Sequence, residues 1–300
     1  MSRHMNRVIQ DTQSPLKKEA LSRIETMTAD ILAEHSKSFL CIPPSYWVFL
    51  SANTFKSLKS VNLKNFHQIA SEMKYFKDLL IILLYTARTI VSITMETSNT
   101  HFRKSVRLPF QLRKLRLVGP HFVNLSTIFS LKYLVLLELE NIDLRGFNIS
   151  QFWNMEKLIS LVVISCFLKG PITNNIARLK NLKKLNLSGN FNIDGPIPPE
   201  LCTLKNLEYV NFNNTGLTGQ IPEYIGYLTN LKYFAAEQNH LTGKLPVDFS
   251  LCLCLEELRL CGNSLEGAIP DEIFKMSHLK YLCVTANPLG HLYDEAYREK

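Results

Sequence analysis

The 300-residue sequence has no long apolar run. Its longest strongly apolar stretch, Leu79 to Tyr85, falls far short of the roughly 20 residues that span a bilayer, so no membrane span is expected. The opening MSRHMNRVIQDTQSP is charged, but neither an apolar core nor a small-residue cleavage site follows it, which argues against a secretory signal there and for a cytoplasmic location. Paired cysteine spacing is missing too. The seven cysteines are scattered singly apart from Cys252 and Cys254, unlike a disulfide-stapled or zinc-binding module, and Cys41, Cys166 and Cys202 read as small buried apolar residues. The eight histidines form no HExxH or comparable pair, no glycine-rich phosphate loop opens a helix, and Glu237 and Asp248 fall on different faces of their segment. With no catalytic set, no metal ligands and no cofactor motif, a non-enzymatic protein is expected.

Acid is absent between Glu96 and Glu138, where Arg103, Lys104, Arg107, Arg113, Lys114, Arg116 and Lys132 lie. Residues 1–130 hold 18 Lys and Arg against 8 Asp and Glu, whereas residues 131–300 hold 16 against 18, so the net charge of +8 belongs to the first part. No nucleic-acid motif accompanies the basic run, which therefore reads as a solvated face. Four Asn-X-Ser/Thr triplets, opening at Asn124, Asn148, Asn186 and Asn213, point toward secretion instead, although an Asn-rich repeat generates such triplets by chance.

What the sequence does contain is one pattern written repeatedly. Segments opening at Leu182, Leu207, Leu231, Leu255 and Leu279 each fit LxxLxLxxN, with steps of 25, 24, 24 and 24 residues, and Leu158 and Leu134 continue the step upstream. A period in the twenties signals a solenoid. Within a copy, as in Leu255, Leu258 and Leu260, apolar residues alternate with others at the two-residue period of a strand. One short strand cannot bury its apolar face alone, so copies must stack in parallel. Asn190, Asn239, Asn263 and Asn287 follow the strands, with Cys166 and Thr215 in the same place, and are expected to satisfy buried loop amides and carbonyls. After them come IDGPIP, LTGQIP, LTGKLP and LEGAIP, then apolar residues at every third place, which predicts short 3₁₀ turns.

LxxLxLxxNxLxGxIP is the consensus that this stretch resembles: the plant-type subclass of the leucine-rich repeat family, over Leu158 to Leu289 and more faintly over Leu112 to Leu144. The resemblance implies an α/β right-handed solenoid with a parallel concave sheet, short 3₁₀ or extended convex segments, and binding of proteins or peptides as its activity. Plant extracellular members usually carry cysteine-paired caps, and none is visible here.

The expected organisation is a polar, disordered 1–13, a helical N-terminal cap over 14–57, irregular repeats over 58–130, regular repeats over 131–289, and a capping tail over 290–300. Residues 30–58 also bear a likeness to an F-box, with Asp30, Ile31 and Leu32 at its acidic-Ile-Leu turn, although Pro43 and Pro44 fall where helix is needed. That likeness implies a ubiquitin-ligase adaptor subunit as a partner.

Stacking converts the outward strand positions into a surface map, because equivalent residues of successive copies lie about 4.8 Å apart. One column reads Lys184, Tyr209, Tyr233, Glu257, Tyr281; the next reads Asn186, Asn211, Ala235, Arg259, Cys283; the third reads Ser188, Asn213, Glu237, Cys261, Thr285. Tyr209, Tyr233, Tyr281, Asn211, Asn213, Glu237 and Arg259 are the candidate partner-binding residues, tyrosine joining apolar area to a hydroxyl. The expected function is a cytoplasmic module binding a protein or peptide on this face. Two alternatives stand beside it, an F-box-like adaptor and an extracellular receptor-like or inhibitor-like recognition protein.

Overall fold

The computed structural model describes residues 60–63, 91–96, 108–119 and 125–289. Fourteen strands occur in chain order among these residues. They begin with β1 (Ser60–Leu63), β2 (Ser92–Glu96), β3 (Lys114–Val118), β4 (Leu136–Glu140), β5 (Ser160–Ile164), β6 (Lys184–Asn186) and β7 (Asp194–Pro196). They continue with β8 (Tyr209–Asn211), β9 (Gly216–Gln220), β10 (Tyr233–Ala235), β11 (His240–Gly243), β12 (Glu257–Arg259), β13 (Ser264–Leu265) and β14 (Tyr281–Cys283).

Ten of them form one parallel sheet in the order β1-β2-β3-β4-β5-β6-β8-β10-β12-β14, so each repeat adds one strand beside the last. Its register puts like positions side by side: Lys184, Tyr209, Tyr233, Glu257 and Tyr281 are successive partners, as are Leu185, Val210, Phe234, Leu258 and Leu282. The second of these rows is the core, buried at 0% exposure from Leu185 to Leu258. Opposite the sheet the chain returns through short 3₁₀ turns such as Pro199–Thr203, Glu223–Tyr227 and Val247–Leu251, and through one α-helical turn, Asp271–Phe274. Each turn buries its third-residue apolar position, as Leu201, Ile225, Phe249 and Ile273 do, which is what spacing by three provides.

A second parallel sheet, β7-β9-β11-β13, is built from the Leu-x-Gly segments. Sequence reading gives these extended backbone beside a glycine turn but no pairing; stacking brings them into pairing distance, and they join. Glycine has a specific task here: Gly243 adopts φ +77°, and a Cβ on it would come within 2.8 Å of Gln220 Cγ in the repeat before.

Buried polar groups between these walls are answered by the asparagine ladder. Asn239 shows the arrangement: its Oδ1 accepts from Leu217 N at 3.1 Å and lies 2.6 Å from Thr215 Oγ1, while its Nδ2 donates to Phe212 O at 2.8 Å and Ala236 O at 3.1 Å. Asn190, Asn263 and Asn287 repeat the pattern, and Asn190 Oδ1 takes Cys166 N at 3.0 Å. One side chain thus satisfies groups from two adjacent turns. Replacing Asn239 with Ala leaves them unpaired and lowers stability by about 1–3 kcal/mol; a urea midpoint equal to wild type would show that water takes over its bonds.

No helix among the described residues is long and apolar enough to cross a membrane. The expected disordered start, N-terminal helical cap, F-box-like stretch and capping tail lie outside the described residues.

Candidate concave binding surface

The outward positions of the ten-stranded sheet form the candidate surface. Strand alternation sends Tyr209 and Tyr233 away from the core, and the parallel register sets them side by side. Their rings stack with centroids 4.4 Å apart and planes within 4°. Lys184 Nζ lies 5.2 Å from the Tyr209 centroid, and the Arg259 guanidinium lies 4.0 Å from the centroid of Tyr281 and 6.0 Å from that of Tyr233. Lysine, two tyrosines, arginine and a third tyrosine thus form a continuous cation–aromatic run. Arg259 is held in place by Glu257, whose Oε2 accepts from Nε at 2.9 Å. Burial pushes the Tyr233 phenol up to about 12, so both its hydroxyl proton and its neutral charge persist at physiological pH.

A polar row runs alongside. Asn213 and Glu237 exchange two bonds, Nδ2 to Oε2 at 2.7 Å and Glu237 N to Asn213 Oδ1 at 2.7 Å. Asn211 Nδ2 donates to the Tyr209 hydroxyl at 3.3 Å and its Oδ1 accepts from Asn213 N at 2.9 Å. All seven candidate residues therefore sit on one face and all are half-buried rather than fully exposed, because they lie against one another. Tyr281 is brought near Arg259 but not into the tyrosine stack, since β12 separates it from Tyr233. Elsewhere in the outward columns Asn186, Ala235 and Cys283 are buried, at 7%, 0% and 5% exposure, so the map offers less free surface than alternation alone implies. Ala235 is covered by the larger Asn211 and Arg259 on either side of it.

Cysteine is where the structure corrects the sequence reading. Cys261, two residues past the end of β12, and Cys283, the last residue of β14, form a disulfide with Cα atoms 5.6 Å apart. Their sulfurs and the Glu237 carboxylate lie within 4.8 Å of one another, a spacing that would suit a metal ion only for free thiolates. Bonded to each other, the sulfurs are not ligands. Cys166, Cys202 and Cys252 do behave as small apolar residues: they are buried and free, and burial pushes their thiols up to about 12, 11 and 12. Cys41 lies outside the described residues.

The leucine rich repeat family model matches residues 181–204, 206–228 and 254–276. No curated protein matches the chain. Among solved structures, the plant peptide hormone receptor RGFR1 in complex with RGF2 is 28% identical over 68% of this chain and 33% of its own, with a TM-score of 0.57. The Arabidopsis receptor kinase HAESA ectodomain, in complex with an N-terminally extended IDA peptide hormone ligand, is 26% identical over 80% of this chain and 40% of its own, with a TM-score of 0.55. The ectodomain of the Arabidopsis thaliana membrane receptor kinase GASSHO1/SCHENGEN3 shares the fold at a TM-score of 0.59 and 20% identity, over 84% of this chain and 34% of its own. The chain spans between 33% and 40% of the length of these three structures. The HAESA neighbour is a receptor ectodomain, a finding that overturns the expectation of a cytoplasmic location. No comparison supports the ubiquitin-ligase adaptor. The repeat register, the asparagine ladder and the three matched segments show that residues 181–276 are built of leucine-rich repeats, spelled in the plant-type form.

Proposed function

We propose that the chain is the recognition surface of an extracellular receptor-like or inhibitor-like protein, and that it binds a protein or peptide across β6 to β14 of the concave sheet. The observation that carries this reading is the preassembled run of Lys184, Tyr209, Tyr233, Arg259 and Tyr281, exposed at the lysine and half-buried at the other four, on one face of the sheet. Such a run offers flat apolar area, phenolic hydrogen bonds and positive charge with little rotamer entropy left to lose, which suits a binding hot spot. The Asn213–Glu237 pair beside it supplies groups for a peptide backbone. The plant receptor and HAESA structures, each described as a peptide hormone complex, support a peptide or protein as the ligand class. In this reading the regular repeats of 131–289 carry the binding surface and the preceding residues extend and cover the stack.

The test pans a phage-displayed random peptide library against the purified chain and then measures the enriched peptides by calorimetry. Changing Tyr209 and Tyr233 together to Ala should weaken binding by about 2 kcal/mol, close to thirtyfold, and leave the folding transition nearly intact. The convex pair Glu223→Ala and Asp271→Ala, both at exposed positions, should leave affinity unchanged. Equal affinity for the tyrosine double variant and wild type would sink the site; a collapsed melting transition would sink the surface assignment beneath it.

A further inference from the structure

Three of the Asn-X-Ser/Thr triplets fall among the described residues, and concave recognition does not account for them. Their environments differ. Asn186 lies on β6 inside the concave sheet at 7% exposure, its Oδ1 accepting from Ser188 N at 3.0 Å. Asn213 commits its Nδ2 to Glu237 at 2.7 Å and stands on the candidate binding surface. Asn148 is the exception: it is exposed, it precedes the 3₁₀ turn Ile149–Asn154 with extended backbone at φ −99° and ψ 141°, and its Oδ1 accepts from Ser150 N at 2.9 Å. That bond folds the triplet into a tight turn with the Ser150 hydroxyl two residues from the amide, and Nδ2 has no hydrogen-bond acceptor among the described residues.

The Asn148 amide has its place because residue 170 is glycine: a Cβ there, at φ +89°, would come within 2.5 Å of Nδ2. Asn148 pairs by single bridges with Lys169, and Lys169 with Asn192, a row on the flank of the solenoid apart from the ten-stranded sheet. Lys169 and Asn192 are exposed as well, and in the turns just before them Phe167 and Phe191 show 48% and 69% of their surface. A bulky, hydrated group on this flank displaces no core residue, screens apolar area and keeps clear of the tyrosine stack.

We propose that Asn148 is an N-glycosylation site, the one used among the three described triplets. The modification forms a bond from Asn148 Nδ2 to the anomeric carbon of an oligosaccharide donated by a polyprenyl diphosphate carrier. The carbon–oxygen bond to the diphosphate breaks, the diphosphate leaves with the electron pair, and Nδ2 gives up one proton. The proposal rests on the extracellular reading, since that donor is met only on the secretory route.

The full chain, fused to a heterologous secretory leader, is produced in plant cells, collected from the medium and digested with trypsin. Gly146–Lys157 then carries Asn148, Leu185–Lys205 carries Asn186, and Asn206–Lys232 carries Asn213, each on its own peptide. Enzymatic removal of the glycan in heavy-oxygen water should mark position 148 at high occupancy and positions 186 and 213 not at all. Asn148→Gln and Ser150→Ala should each abolish that mark, the second with the asparagine still in place. An unmodified Asn148 peptide in the secreted chain, or glycan on Asn186 or Asn213, would overturn the site assignment. A separate arm immunoprecipitates the native protein from its own tissue: an unmodified Asn148 with Cys261 and Cys283 reduced there would overturn the extracellular reading itself, and with it the native use of the site.

Discussion

Phe234→Ala should lower the unfolding free energy by about 3–5 kcal/mol, the range for emptying a buried aromatic position. Phe234 is the middle residue of β10, fully buried, flanked in register by Val210 and Leu258 and set edge-on to Phe249 with ring centroids 5.3 Å apart at 66°. Its ring joins two walls of one repeat, the concave strand and the 3₁₀ turn Val247–Leu251 that follows it. A solenoid repeat touches only its neighbours, so the surrounding copies cannot close the cavity by collapsing from afar. Urea unfolding followed by tyrosine fluorescence measures the loss. A cycle with Phe249→Ala should return a coupling of about 0.5–1.5 kcal/mol for the aromatic pair. A loss under 1 kcal/mol would mean that β10 is not packed as described.

Phe234 also shows why the fold was readable. Its place in LKYFAAEQN is taken by Leu185, Leu258 and Leu282 in three of the four other clean copies and by Val210 in the fourth, and a residue that occupies the same slot at a constant step must face the same environment in every copy. The asparagine ladder was readable for the same reason, since one polar residue recurring amid an apolar pattern has to be satisfied by the stack. The small sheet of β7, β9, β11 and β13 was not. Glycine and proline announce a turn, and nothing local in LTGQIP says that the extended backbone on either side will find the same segment one repeat away; pairing there is a product of stacking, not of propensity.

The candidate surface was partly legible on similar grounds. Columns follow from register, so the adjacency of Tyr209 and Tyr233 could be stated from spacing. Their parallel stacking and the clamp of Glu257 on Arg259 depend on rotamers that no spacing fixes. Exposure was overestimated for the same reason: Ala235 points outward yet is fully buried, because Asn211 and Arg259 in register on either side are larger. The three usable-looking glycosylation triplets are alike in spelling, and only their burial and hydrogen bonds separate Asn148 from Asn186 and Asn213.

Cys261→Ser, Cys283→Ser or the double change should cost about 3 kcal/mol, the loop-closure value for cysteines 22 residues apart. The linear spacing hides the pair, because Cys261 and Cys283 belong to different outward columns and meet only diagonally, the first just past β12 and the second at the end of β14. The place of the bond gives it a function in the stack. β14 is the last strand of the described sheet and has a partner on one side only, β12. Its core is correspondingly looser: Leu279, Leu282 and Val284 show 9%, 5% and 3% exposure, where Leu255, Leu258 and Leu260 in the copy before show 0%. End strands fray first, and the disulfide ties this one to its neighbour beside Arg259 and Tyr281. Hydrogen exchange should therefore show the amides of β14 losing protection in the double serine variant while those of β5 and β8 keep theirs. Dithiothreitol should reproduce the effect in the wild type and add nothing in the variant. Binding should weaken less than for the tyrosine double variant, since the Tyr209–Tyr233 stack lies on β8 and β10 and the bond ties β14 to the end of β12. If β14 keeps full protection in the double serine variant, the strand is held by its own pairing and the bond contributes nothing to the end of the sheet.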